Sequence, residues 1–193
     1  MDRVTSRVAD RVADTEAFWE LIEAARAETA ETGDTGDGEA VAAWASELLA
    51  ARPVGEILAA SQALWGLLAE SYRSPLWAAA YLINGGCSDD GFDYFRGWLI
   101  TQGRAVFQRA VSSPDTLADL PVVRAVAEER EELACESTLA IAWNAHRAAT
   151  GEELPAGSFT VRYPALDPDW GFDYDDGEEM ARRLPRLSAL YAA

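Results

Sequence analysis

No lysine occurs anywhere in the 193 residues; all 16 basic side chains are arginines. A guanidinium is not deprotonated in proteins. The chain therefore has no amine for a Schiff base, a Ser–Lys dyad or a Walker-type phosphate loop. A single histidine, His146, excludes a histidine-rich metal site. It leaves one candidate base for Ser-His-Asp chemistry, and no G-x-S-x-G turn accompanies it. The two cysteines, Cys87 and Cys135, are too few for a disulfide scaffold or a four-cysteine zinc site. No apolar run approaches the ~20 residues needed to cross a bilayer. The N-terminus alternates Arg, Asp and Val without the apolar stretch of a secretory signal. The expectation is a soluble cytoplasmic protein in a reducing compartment, with no membrane contact.

Positive charge is also scarce. Thirty-three acidic residues leave a formal net charge of −17. Nucleic-acid binding needs a basic patch to meet phosphates, so no direct nucleic-acid contact is expected. An excess of acid suits the solvated surface of an enzyme, or a protein that docks on a basic partner.

What is present favours helix. Alanine, leucine, glutamate and arginine dominate, and β-branched residues rarely alternate with polar ones. The fold class expected is all-α, a compact single-domain bundle of about seven to eight helices. Residues 1–14, a crude Arg-Val-Ala-Asp repeat, read as a flexible arm ahead of a single helical domain over 15–193. Thr15 reads as the cap of the first helix. Further helices are expected over 39–51, from Pro53, and from Pro75 to Ile83, the last ended by Asn84-Gly85-Gly86. Ser88 reads as the cap of the next helix, with Asp89 and Asp90 at its positive end and Gly103 as its break. A long helix is expected from Val122 to about Ala148. An acidic C-terminal loop, 151–179, carries a minor strand near 159–163 and precedes a final helix broken at Pro185.

The run from Trp77 through Asn84-Gly85-Gly86-Cys87-Ser88-Asp89-Asp90 to Gly91-Phe92-Asp93-Tyr94-Phe95-Arg96-Gly97-Trp98-Leu99-Ile100 resembles a bacterial family, domain-of-unknown-function family 4240. Phe18–Ile22, Pro114–Asp119 and Pro185-Arg186-Leu187 resemble it as well, so the likeness covers roughly residues 15–191. The resemblance implies an uncharacterised α-helical domain in which Trp98 is the hallmark residue. Relatives are sometimes fused to a small nucleic-acid-associated module, of which no counterpart is visible here. The family brings no activity with it.

Polar groups beside aromatics around Ser88–Trp98 are what a small-molecule pocket looks like. Asp89, Asp90, Arg96, Trp98 and Glu132 are the candidate walls of one ligand-binding site. The plainer reading of the same residues is a helix cap, an i,i+3 ion pair and a core tryptophan. Glu128, Glu132 and Glu136 would share one face of the long helix, and with Asp89, Asp90 and Asp93 could hold a divalent cation through oxygen alone. No cofactor is required by the sequence. Cys87 near a helix start could serve as a nucleophile with His146 as its only partner; a buried, inert thiol is the alternative. The acidic run Asp167–Glu179 does not fit an EF-hand, because Gly177 falls one position early. Its aromatics could hook a basic partner. The leading function is a cytoplasmic binding module of regulatory or conflict type that docks on a basic protein partner or a small molecule. The rival is a small-molecule enzyme working through carboxylates, with or without a divalent metal.

Overall fold

A computed structural model describes residues 2–32, 37–129 and 131–191. Among the described residues the chain is all-α, with no strand. The α-helices are α1 (Asp2–Thr32), α2 (Gly38–Ala50), α3 (Val54–Glu70), α4 (Ser74–Asn84), α5 (Asp89–Thr101), α6 (Arg104–Ser112), α7 (Pro121–Glu129), α8 (Ile141–Thr150), α9 (Gly177–Arg183) and α10 (Pro185–Tyr191). Short 3-10 turns occupy Pro114–Asp119, Glu136–Ala140 and Pro168–Trp170. The helices outnumber the seven or eight expected, because two long elements are divided.

Local chemistry sets most of the boundaries. The Asp37 carboxylate accepts from the Glu39 N–H at 2.9 Å and caps α2. Pro75 sits in the first turn of α4, and Gly85 ends that helix at φ +66°, a conformation most side chains resist. The Ser88 hydroxyl accepts from the Gly91 N–H at 3.1 Å and caps α5, as its sequence position implies. Asp176 caps α9 through the N–H groups of Glu178 and Glu179. Leu184 and Pro185 divide the last helix into α9 and α10.

Helix α5 is the centre of the packing. Phe92 and every residue from Phe95 to Thr101 are buried, and α5 touches α1, α2, α3, α4 and α6. Helix α1 lies across α2 and α3, and α8 packs on α2 and α3 from another side. Helices α9 and α10 close the far end against α4 and the turn Pro114–Asp119. There Asp115 accepts from the backbone N–H groups of Arg186 and Leu187, and Asp119 pairs with the Arg186 guanidinium. Two sequence stretches 70 residues apart thus form one clamp.

Three expectations are corrected. Thr15 is not a cap: α1 begins at Asp2 and takes in the segment read as an arm, and the Thr15 hydroxyl bonds back to the Arg11 carbonyl at 2.9 Å. The minor strand near 159–163 is absent; that segment is irregular and is held by side chains of α3 rather than by a ladder. The long helix from Val122 to Ala148 does not form. It gives way to α7, an irregular stretch, a 3-10 turn and α8.

The physical reason for that break lies outside the segment. The Asn84 side-chain amide donates to the Leu133 carbonyl at 3.2 Å and accepts from the Leu133 N–H at 3.0 Å. The Cys135 N–H donates to the Tyr94 carbonyl at 2.9 Å. Leu133 and Cys135 are buried by the exchange. An intact helix would satisfy the same backbone groups but leave these two side chains without their places in the core. The approach depends on Gly97. A Cβ there would collide with the Cys135 carbonyl oxygen and lie 3.1 Å from Leu139 Cδ1. Gly97→Ala is therefore expected to destabilise the fold by about 1–3 kcal/mol through overpacking against a backbone atom. Urea denaturation of the variant checks this, and an unchanged midpoint would contradict it.

Candidate functional site

Arg96 is fully buried, the largest side chain with so little exposure among the described residues. Its Nε donates to the Phe92 carbonyl at 3.2 Å, and its two terminal nitrogens reach the Leu68 carbonyl and the Asp93 carboxylate. Its guanidinium lies over the rings of Phe92 (4.6 Å), Tyr72 (5.1 Å) and Tyr163 (5.3 Å). Trp77 stacks on Phe92, with ring centroids 4.6 Å apart. A buried cation is tolerated where its donors are bonded and its flat faces meet aromatic faces.

Beside this buried group opens a cleft of about 440 Å³ between α3, α5, α8 and the turn Glu136–Ala140. Asp90, Asp93 and Glu136 supply its charge, and Trp65, Tyr94 and Trp143 much of its apolar wall. Burial raises the Asp93 carboxyl above its ordinary range; Arg96 opposes the rise, and Asp90 and Asp89 add to it. The Tyr94 phenol is also raised, first by the charge of Glu136 and further by Asp90 and Asp93. One phenol thus senses all three carboxylates. Among the described residues no arginine pairs with Asp90 or Glu136, and Asp93 shares Arg96. The cleft is an anionic, aromatic-lined recess with little internal compensation.

The five residues expected to wall one site are spread over this neighbourhood. Asp90 lines the cleft. Asp89 is exposed in the first turn of α5. Arg96 lies beneath the cleft and reaches it through Asp93. Trp98 is 2% exposed, in the core, and its indole N–H is buried without a hydrogen-bond partner among the described residues. Glu132 is exposed in the irregular stretch after α7, where its charge is felt by Cys87. The broken helix also separates Glu128, Glu132 and Glu136 from a common face. Among the described residues no group of three or more His, Cys, Asp or Glu side chains could hold a metal ion.

Trp65 and Tyr94 were not among the residues expected to form the site, and Glu136 was expected only as part of a cation-binding helix face with Glu128 and Glu132. Glu136 reaches the cleft only because the chain leaves the helix before it, and the Glu-rich sequence there contains no glycine or proline to mark the departure. Tyr94 had a weak local signal: it lies one turn beyond Asp90 on the same helix.

Cys87 and His146 do not form a catalytic pair. The Cys87 thiol contacts the Ser88 carbonyl, and His146 Nδ1 lies 3.1 Å from the Glu152 carbonyl and 3.3 Å from the Thr150 hydroxyl. Burial pushes the Cys87 thiol up to about 12; Arg96 opposes this, and Glu132 and Asp89 reinforce it. The acidic run Asp167–Glu179 is folded rather than extended. Asp167 and Asp173 each accept a backbone N–H two residues on. Trp170 and Phe172 turn inward beneath the Arg183 guanidinium, 4.9 and 4.8 Å from it. Tyr174 packs edge-on to Tyr81, whose hydroxyl donates to Asp175 at 2.7 Å.

Residues 13–148 match the family described as Protein of unknown function (DUF4240). The matched part includes α5 and three of the cleft's carboxylates, and it stops before the Pro185-Arg186-Leu187 stretch. No curated protein and no solved structure matches the chain.

Two outcomes follow from these environments. With its thiol near 12, Cys87 stays protonated at pH 8 and is expected to resist iodoacetamide far longer than a free thiol of ordinary pKa; peptide mapping by mass spectrometry reads the label. Rapid labelling would contradict the buried environment. For Asp93 the folded state binds the carboxyl proton more tightly than the unfolded chain does. Wild type should therefore lose stability relative to Asp93→Asn as pH rises from about 4 through the raised value. Chemical denaturation across pH 4–7 measures the slope; a wild type that gains stability relative to Asp93→Asn as pH rises would contradict it.

Proposed function

We propose that this chain, which belongs to the DUF4240 family, is a cytoplasmic binding module whose acidic, aromatic-lined cleft receives a guanidinium or ammonium group from a basic partner. The observation that carries this reading is the convergence of Asp90, Asp93 and Glu136 on one recess in which, among the described residues, only Asp93 has an arginine. The charges of Asp90 and Asp89 add to the raised proton affinity of Asp93, and an incoming cation relieves that repulsion.

The kind of cation follows from the lining. The carboxylates are not gathered tightly enough for a bare metal ion, which draws its ligands to within about 2.0–2.6 Å. A planar organic cation is larger, can reach carboxylates spaced around it, and gains from aromatic faces. Trp143, one of the lining aromatics, already takes a guanidinium against its ring, that of Arg147 at 5.1 Å. A net charge of −17 extends the attraction beyond the cleft and favours rapid encounter with a basic surface. The rival reading, an enzyme built around a carboxylate-held divalent ion, draws no support from this spacing. No helix among the described residues is long and apolar enough to cross a membrane.

Fluorescence anisotropy with an arginine-containing peptide and its glutamine counterpart tests the proposal. The arginine peptide should bind, and its affinity should fall with added salt. Asp90→Asn and Glu136→Gln, both exposed and conservative, should each weaken binding about three- to tenfold, on the order of 1 kcal/mol, without moving Tm. Equal binding of both peptides, or an affinity untouched by the double variant, would sink it.

A further inference from the structure

The segment between α8 and α9 crosses α3 and α5 as an extended strap, and the way it is held is unusual for a loop. Among the described residues no backbone–backbone hydrogen bond joins residues 159–166 to any helix. Their attachment is made instead by side chains of the bundle. The Gln62 amide donates to the Thr160 carbonyl at 3.0 Å and accepts from the Thr160 N–H at 2.9 Å, so that one side chain pairs with both backbone groups of one residue. Phe159 stacks flat on Trp65, with ring centroids 4.4 Å apart and planes within 5°. Tyr163 lies 4.6 Å from Tyr72 and within 5.3 Å of the Arg96 guanidinium. Between these two anchors Thr160, Val161 and Arg162 are exposed.

This is the contact pattern of a bound peptide: main chain clamped by a side-chain amide, two aromatic anchors in separate recesses, and solvated residues between them. All four receiving residues, Gln62, Trp65, Tyr72 and Arg96, lie within the family-matched part of the chain, residues 13–148, and the strap lies outside it. A segment held by few contacts and no ladder opens more readily than the helices beneath it.

We propose that the groove formed by Gln62, Trp65, Tyr72 and Arg96 recognises an extended peptide with two aromatic side chains four residues apart, and that residues 159–163 fill it in cis as a displaceable pseudo-ligand. The strap competes from an effective concentration in the millimolar range, so a free peptide gains the groove only when the strap's anchors are weakened or its rival binds more tightly. The groove shares Trp65 with the acidic cleft, which Phe159 also lines, and differs from the cation-binding reading in its recognition: the anchors are aromatic and the clamp is a neutral amide.

The test is fluorescence anisotropy of a labelled synthetic peptide spanning residues 157–165, titrated with the full chain. Phe159→Ser/Tyr163→Ser in the protein should bind the peptide about tenfold or more tightly than wild type does. Adding Gln62→Ala to that variant should remove the gain, and a peptide lacking both aromatics should not bind. A peptide carrying Arg162→Gln should bind as well as the original; dependence on that charge would instead assign the binding to the acidic cleft and overturn the groove. Circular dichroism reports whether the variant is folded, and Phe159→Ser alone, which keeps Tyr163 over Arg96, serves if it is not. A folded variant that binds no better than wild type overturns the proposal. So does unfolding of both variants, since a segment the fold cannot lose is not a ligand.

Discussion

A guanidinium is sealed inside this bundle, and much of the structure is arranged to tolerate it. Arg96 gains a carboxylate from Asp93, two backbone carbonyls, and three aromatic faces drawn from α5, the end of α3 and the C-terminal strap. Removing one partner of such a buried pair typically costs about 3–5 kcal/mol, mostly because the other charge is left uncompensated. The arrangement therefore couples elements far apart in sequence. The position of Tyr163, the stack of Trp77 on Phe92 and the charge on Asp93 all depend on where this one side chain lies. Asp93 is shared between the buried pair and the cleft, which makes the cleft's electrostatics a consequence of the core.

A second constraint acts one residue further on. Gly97 lets the backbone at Cys135 descend onto α5, and Asn84 clamps Leu133 from the end of α4. Together they replace a helix with an irregular crossing. That crossing delivers Glu136 to the cleft and buries Leu133 and Cys135. The strap over α3 follows the same logic: Gln62 substitutes a side-chain amide for a neighbouring strand. At the far end, the Arg186 guanidinium holds the Asp119 carboxyl below its ordinary range. That clamp's electrostatic contribution is present above the unfolded carboxylate pKa and is lost as pH falls through the depressed value.

Capping chemistry was legible because it is local. Ser88 and Gly85 act within a few residues of themselves, and their roles in the chain order are those their types imply. The place of Asp90 at the start of α5 was legible for the same reason, and the cleft opens beside it. Glu132 was not separable from its neighbours, since a run of glutamates looks the same whether it faces solvent or a partner. Glu136 and Trp65 belong to different elements from Asp90, and nothing in either local sequence refers to the other.

The helical class, the place of α5 in the core, and the exclusion of lysine, multi-histidine and multi-cysteine chemistry could all be read from the chain alone, because each depends on residue type or on spacing within one element. Tertiary structure alone decided that the segment after α7 would leave its helix, that Arg96 would be buried among aromatics rather than exposed in a site, and that three carboxylates would share a cleft. Those outcomes rest on contacts between residues tens of positions apart, where the gain from burying Leu133, Cys135 and the aromatic faces outweighs local helix propensity.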